Sequence, residues 1–334
     1  MVQWVLVHDL RAPDFGTARP ALYREALDMC AWADRRGCPR VVVSEHHGSD
    51  DGYLPSPFVF GAAVAARTEH MRIMVSALVL TLRDPVSAAE DAVVLDLVSD
   101  GRLELTLAAG YVASECAMFG VPFDERGAVF GAKVEAFVTA LTGEPFVYQG
   151  RHIRVTPPPV QRPRPFVVLG GSAPKRAARL ADAYLPPVPD TALADAYAAE
   201  CRRLGKGDGI LLWPAGPMWV FVTEDPERSW AQLGPHVVHE TNAYGAWAEA
   251  VPGANPWRPR ADVDAVRADG LYAVVTPEQC VALARDLDPR AALKLKPLVA
   301  GLDPDLGWAS LELFVDAVVP ALGDPPTGRT PPPR

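Results

Sequence analysis

Glu45-His46-His47 holds the residues of this 334-residue chain best suited to acid–base chemistry, and it follows directly on the run Arg40-Val41-Val42-Val43-Ser44. Three consecutive valines predict a strand buried on both faces. Two imidazoles where such a strand runs out are poorly explained by packing. In parallel α/β proteins the carboxyl ends of strands are where ligands bind and chemistry is done. Neighbouring strand residues point to opposite faces, so His46 and His47 would not share one metal ion, and the tripeptide reads as a proton-handling site rather than a metal site. The competing reading is a histidine that caps a helix or bonds a backbone carbonyl.

Two further runs are suited to holding a ligand. Gly170-Gly171-Ser172-Ala173-Pro174 follows an apolar strand pattern and opens a helical one. Small residues there leave backbone N–H groups able to face an anion, Ser172 adds a hydroxyl, and Lys175 and Arg176 follow within reach of a phosphate. The same letters also fit an ordinary tight turn, and they form neither a dinucleotide fingerprint nor a Walker motif. In Ala108-Ala109-Gly110-Tyr111, Gly110 would let a ligand approach the backbone and Tyr111 could stack on it. A plain strand-to-loop turn explains that run equally well.

The elements that must position these residues alternate from the start of the chain. Strand patterns cover Trp4 to His8, Arg40 to Ser44, Arg72 to Leu80, Leu103 to Ala108, Phe166 to Leu169, Ala183 to Leu185, Pro217 to Val222 and Leu293 to Leu295. Helical patterns cover Pro20 to Arg36, closed by Gly37, then Pro57 to Ala66, Pro85 to Leu97, Asp124 to Leu141 with Asp124 as N-cap, Pro174 to Ala181, Thr191 to Leu204 and Pro304 to Val319. Phe146 to Val155 predicts a small hairpin turning near Gln149-Gly150. About eight strand–helix units favour a (β/α)8 TIM barrel, an α/β fold, over an open sheet. The expected organisation is one domain over 1–322, with insertions near 143–165 and 230–290, and a proline-rich disordered tail over 323–334.

Composition narrows the partners. A net charge of −9 without a basic run argues against nucleic acid or an anionic membrane surface. No segment is long and apolar enough to span a bilayer, and the first ten residues read as a strand rather than a signal peptide. Five scattered cysteines without a Cys-x-x-Cys pair fit reduced thiols, and the expectation is a cytoplasmic enzyme. Tyr53, Trp213, Trp219, Tyr244 and Trp247 could wall a substrate pocket between the loops near 50–57, 112–118 and 213–255, although core packing explains them as well.

Taken in order, these runs resemble the bacterial-luciferase-like flavin-dependent monooxygenases. The resemblance rests on Ser44-Glu45-His46-His47, Asp84-Pro85-Val86, Leu95-Asp96, Ser99-Asp100-Gly101-Arg102, Gly110-Tyr111, Phe119-Gly120-Val121, Leu169-Gly170-Gly171-Ser172, Ala178 to Asp182 and Thr276-Pro277-Glu278. It extends to about Leu322. It implies a barrel that binds reduced FMN from a separate flavin reductase and uses O2 to oxygenate a small organic substrate. His46 matches the family's active-site histidine, with Glu45 and His47 orienting it or the cofactor ring. Ser172 matches the phosphate pocket, and Ser76-Ala77 falls where members often carry a non-proline cis peptide beneath the ring. One departure is Ala109, where luciferases have a phosphate-binding arginine; Lys175, Arg176, Arg179 or a lysine of Lys294-Leu295-Lys296 would have to substitute. The alternatives implied by the same family are a coenzyme F420-dependent oxidoreductase and a non-catalytic partner subunit. Family members usually pair through helices beside the second and third strands, so a homodimer is expected.

Overall fold

The computed structural model describes residues 3–251 and 256–323. Its elements run β1 (Gln3–His8), α1 (Arg19–Asp34), β2 (Arg40–Val43), α2 (Pro57–Ala65), β3 (Arg72–Val79), α3 (Pro85–Val98), β4 (Leu103–Ala108), α4 (Ala113–Met118) and α5 (Arg126–Ala140). Next come β5 (Phe146–Tyr148), β6 (Arg151–Ile153), β7 (Phe166–Gly170), α6 (Pro174–Leu180), β8 (Ala183–Leu185), α7 (Thr191–Arg203), β9 (Ile210–Leu211) and β10 (Trp219–Val222). The chain then forms α8 (Pro226–Ala248), α9 (Val263–Ala268), β11 (Tyr272–Val275), α10 (Pro277–Asp286), β12 (Ala292–Leu295) and α11 (Pro304–Leu313). Most of the predicted proline-rich tail, residues 324–334, lies outside the described residues, as does Asn255 at the edge of one predicted pocket loop.

The elements fall into two compact units. One comprises residues 43–48 and 55–214, in which β3, β4, β7, β8 and β9 lie side by side in that order, all parallel. Parallel strands joined by helices are covered on both faces, which is why β4 is buried from Leu103 to Leu107. β5 and β6 pair antiparallel as the predicted hairpin, with Gln149 and Gly150 both at positive φ in its turn.

Several of the motifs that carried the resemblance are structural fastenings within this unit. Asp84 caps α3 by accepting the N–H groups of Val86 and Ser87, with Pro85 in the first turn. The Arg102 guanidinium donates to the Ser99, Met71, Ala65 and Thr68 carbonyls and to the Thr68 hydroxyl, tying the amino end of β4 to the end of α2. Asp96, fully buried, accepts the Val160 and Gln161 N–H groups and the Gln161 side chain, so it pins the loop before β7. Asp182 does the same for Arg164 and the Val167 N–H.

The other unit comprises residues 1–42, 49–54 and 215–334, with strand order β11, β10, β12, β1, again parallel. Its core joins Trp219, Phe221 and Tyr272 to Trp230, Leu233 and Val237 of α8 and to Val299 and Leu302. Gly37, at positive φ, ends α1, with the Cys38 N–H returning to the Ala33 carbonyl. Thr276 and Gln279 make a reciprocal capping box at the start of α10.

Two expectations change. Asp124 does not cap α5: residues 123–125 form a 3-10 turn and α5 begins at Arg126 without a side-chain cap. The valine strand alternates, with Val41 and Val43 buried and Val42 partly exposed. In the stretch near 230–290, α8 is one helix of 23 residues. Pro235 inside it removes a hydrogen bond and reads in sequence as a break, but burial of Trp230, Leu233, Val237 and Tyr244 along one face outweighs that loss. Among the described residues, no helix is long and apolar enough to cross a membrane.

Candidate active site

His46 and His47 lie in the segment after β2, where the chain has left the strand and can turn each ring separately. His46 is 7% exposed, and its Nδ1 lies 2.7 Å from Oε1 of Glu115, itself 2% exposed, in the first turn of α4. The same Glu115 oxygen accepts the His47 main-chain N–H at 2.7 Å. A carboxylate oxygen can only accept, so the pattern assigns the proton to Nδ1 of His46 and the ring's basic lone pair to Nε2. The ring of Tyr111 stands edge-on to His46 at 5.6 Å.

Glu45, expected with His47 to orient His46 or the cofactor ring, is bonded to His47. Its partners are His47 Nε2 at 2.7 Å, the Val79 N–H at 2.8 Å and the Arg83 guanidinium at 2.6 Å. Burial disfavours its charge, yet the His47 hydrogen bond, the Arg83 cation and the Val79 N–H outweigh burial and hold its pKa below the usual carboxylate value. Glu45 thus fixes His47 and the end of β3, and the carboxylate bonded to His46 is Glu115. His47 is closed in further by the edge of Phe119 at 4.7 Å.

The predicted ligand positions fall within the same unit. The Ser76–Ala77 bond is a non-proline cis peptide, both residues are partly exposed, and the register of β3 on β4 shifts between Ser76 and Leu78. Thr106 sits opposite Ser76 on β4 and opposite Val168 on β7; its buried hydroxyl has no hydrogen-bond partner among the described residues. Gly110 has positive φ, and Cγ1 of Val79 lies 2.8 Å from where its Cβ would be, so packing alone requires glycine there. At Gly171, by contrast, φ is +112 and a Cβ would meet nothing within 4 Å. The Gly171 N–H is bonded to the Leu185 carbonyl, and its own carbonyl accepts the Tyr184 hydroxyl at 2.7 Å. Ser172 and Lys175 are exposed, and the Arg176 guanidinium rests against Gly131 of α5.

Of the substitutes named for Ala109, Lys175 lies at this turn, whereas Lys294 and Lys296 belong to the other unit. Lys296 is buried between Asp9 and Glu240 in the other unit, its charge already balanced. Lys294 lies on β12 of that unit, where burial pushes its pKa down to about 8. The aromatic wall dissolves likewise: Tyr53, Tyr244 and Trp247 face the Arg11 guanidinium at 4.5–4.7 Å, and Trp219 stacks on Tyr272 in the core. Among the described residues, no group of His, Cys, Asp and Glu is placed to hold a metal ion.

Sequence reasoning missed Glu115, Arg83 and Thr106. Glu115 lies 69 residues from His46. An acidic residue in the first turn of a short helix reads as an ordinary complement to the helix dipole. Arg83 did carry a signal, because it directly precedes the Asp84-Pro85 helix start.

Residues 4–289 match the sequence profile described as luciferase-like monooxygenase. The chain is 30% identical to an uncharacterised protein of Sinorhizobium fredii over 167 residues, 48% of this chain and 49% of that one. It is 32% identical over 111 residues to the oxygenase component of the flavin-dependent trigonelline monooxygenase of Acinetobacter baylyi, 33% of this chain and 31% of the relative. The chain thus spans about half the length of the first relative and about a third of the second. Among solved structures, monooxygenase RslO1 of Streptomyces bottropensis superposes with a TM-score of 0.75 at 20% identity, covering 96% of this chain and 99% of that one. The oxygenating constituent of the 3,6-diketocamphane monooxygenase of Pseudomonas putida, solved with FMN, gives 0.71 at 16% identity, covering 97% and 99%. An F420-dependent secondary alcohol dehydrogenase gives 0.65 at 14% identity, also covering 97% and 99%. Likeness of this extent shows the fold, the luciferase-like (β/α)8 barrel expected from the sequence.

Proposed function

This chain belongs to the luciferase-like monooxygenase family, and from that premise we propose that it is a flavin-dependent monooxygenase that takes reduced FMN from a separate flavin reductase. The observation that carries this reading is the buried Glu115–His46 pair, which presents Nε2 of His46 as a fixed proton donor and acceptor. Reduced FMN would supply two electrons and two protons, so that one atom of O2 enters the small organic substrate and the other leaves as water.

The residues present fit such a cofactor. The unpartnered Thr106 hydroxyl lies in register with Ser76, and the space beside Gly171 is open. In this reading Ser76, Ala77, Gly110 and Tyr111 hold the ring. Gly170, Gly171, Ser172 and Lys175 hold the phosphate, with Ala109 leaving the arginine position empty. His46 handles the proton, Glu115 holds its ring, and Glu45 and His47 form the fixed wall beside it.

The test needs no knowledge of the substrate. Anaerobic titration with reduced FMN and with coenzyme F420 identifies the cofactor, and mixing the FMN complex with O2 reads its reoxidation from flavin absorbance. Wild type should bind reduced FMN at micromolar concentration. His46→Ala should bind it equally but reoxidise with rate constants changed by about 100-fold, the scale of a lost acid–base group. Preference for F420 would favour the hydride-transfer alternative, which the likeness to an F420-dependent dehydrogenase keeps in view. Binding of neither cofactor would favour the non-catalytic subunit. We also propose a homodimer through α2 and α3, whose Val59, Val94, Leu97 and Val98 are exposed; a monomeric mass by light scattering would refute it.

A further inference from the structure

Sulfur is unevenly exposed in this chain. All five cysteines are buried, and burial pushes the pKa of the Cys38 and Cys280 thiols up to about 12, so both stay protonated and unreactive. Among the described methionines, Met29, Met71 and Met74 are buried and Met218 is half-buried. Met118 is 64% exposed. It is the sulfur most open to an oxidant dissolved in water, and a thioether needs no deprotonation to react.

Its position ties it to the acid–base pair, all within the unit of residues 43–48 and 55–214. Met118 closes α4 three residues after Glu115, and residues three apart on a helix are neighbours on one side of it. The Met118 sulfur lies 3.4 Å from where a Cβ of Gly48 would stand, and Gly48 has positive φ directly after His46-His47. α4 is thereby joined to three successive residues of that segment. Glu115 holds the His46 ring and the His47 main-chain N–H, Phe119 stands edge-on to His47, and Met118 covers Gly48. With six residues and no side-chain N-cap, α4 is too short to be stable alone and depends on such contacts.

We propose that Met118 is an oxidation site through which hydrogen peroxide separates Glu115 from His46. The source of the peroxide rests on the flavin reading: reduced FMN that meets O2 without a substrate to oxygenate gives FMN and hydrogen peroxide. The Met118 sulfur attacks one peroxide oxygen with a lone pair. The O–O bond breaks, an S–O bond forms, and the second oxygen leaves as water with both protons. Sulfur loses two electrons and peroxide gains them. A polar sulfoxide then replaces a flexible apolar thioether. Its oxygen is hydrated, so the side chain leaves Gly48 for solvent and draws the end of α4 with it. Glu115, one turn back, loses its 2.7 Å contact with Nδ1 of His46. Methionine sulfoxide is reduced enzymatically, which makes the modification a reversible brake on turnover that consumes O2 without product.

Full-length protein labelled with 15N-histidine is treated with graded hydrogen peroxide in the absence of flavin, and its peptides are weighed after digestion. Met118 should take up one oxygen at least about ten times faster than Met29, Met71, Met74 or Met218, as their exposure dictates. The His46 15N resonances, identified by their loss in His46→Ala, should shift with the same time course. Methionine sulfoxide reductases A and B, one for each epimer, should together reverse both changes, and Met118→Leu should show neither. The proposal is overturned if another sulfur reacts before Met118, if Met118 is oxidised while the His46 resonances stay in place, or if peroxide moves them equally in Met118→Leu. Reversal by the reductases in wild type decides the matter even should Met118→Leu not fold. Added peroxide needs no flavin, so the full response in a protein that binds no FMN would refute the flavin reading and leave the oxidation site standing.

Discussion

Exchanging Glu115 for glutamine preserves side-chain shape and removes one charge. Its Oε1 takes the His46 Nδ1–H and the His47 main-chain N–H, both at 2.7 Å and both shielded from solvent. A hydrogen bond to a charged group contributes about 1.5–3 kcal/mol and a neutral one about 0.5–1.5 kcal/mol. Each bond should therefore weaken by about 1 kcal/mol, and the fold should lose about 2 kcal/mol in urea denaturation. The chemical effect should be comparable or larger, because the same carboxylate sets the tautomer of His46 and balances charge on its ring. At about 1.4 kcal/mol per factor of ten, loss of 1.5–3 kcal/mol from the transition state slows proton-dependent reoxidation of bound reduced FMN by about 10–100-fold. Stopped-flow absorbance measures that rate, fluorescence measures FMN affinity, and 15N shifts report which nitrogen of His46 carries the proton. Reoxidation within about twofold of wild type, alongside the expected loss of stability, would show that Glu115 only packs the loop. A fall in FMN affinity matching the rate loss would show that it acts through cofactor binding instead.

Three other outcomes follow from the same geometry. Lys294→Met should stabilise the protein at pH 7 by about 1–3 kcal/mol, since burial lowers this lysine's pKa to about 8 from 10.5 and the unfolded chain binds the proton more tightly. Wild-type thermal stability should accordingly rise relative to the variant between pH 8 and 10.5, and parallel curves would contradict the burial. His8 is kept neutral by burial, with its pKa lowered from 6.5 to about 4. Its unfolded form therefore takes up a proton first as pH falls, and about 3 kcal/mol of stability should be lost from pH 7 to pH 4 in wild type but not in His8→Phe. Arg102→Met removes five hydrogen bonds to Ser99, Thr68, Met71 and Ala65 and should cost about 3 kcal/mol in urea denaturation without altering FMN affinity; a changed affinity would mean that the clamp reaches the site.

The valine strand, the Gln149-Gly150 hairpin, the helix from Thr191 and the stop at Gly37 were all legible in the sequence. Each depends on periodicity, turn chemistry or caps, which act within a few residues of chain. The same locality made Glu45-His46-His47 stand out, because a strand end is a position that sequence alone can mark. It left α8 unread, since the apolar face that carries that helix through Pro235 is recognised only once buried.

What each polar side chain is for was decided by the tertiary structure. Sequence adjacency suggested that Glu45 and His47 orient His46 or the cofactor ring; loop closure delivers Glu115 to His46 from 69 residues away and sets Glu45 against Arg83, Val79 and His47. Lys296 was a plausible phosphate cation until Asp9 and Glu240 were found to enclose it, and Tyr53 and Trp247 were plausible pocket walls until they were found against Arg11. The physical reason is common to all of these. A strand or helix is specified by backbone preferences summed over neighbouring residues, whereas a buried charge must find its partner in space, and the spacing of letters carries no record of that distance.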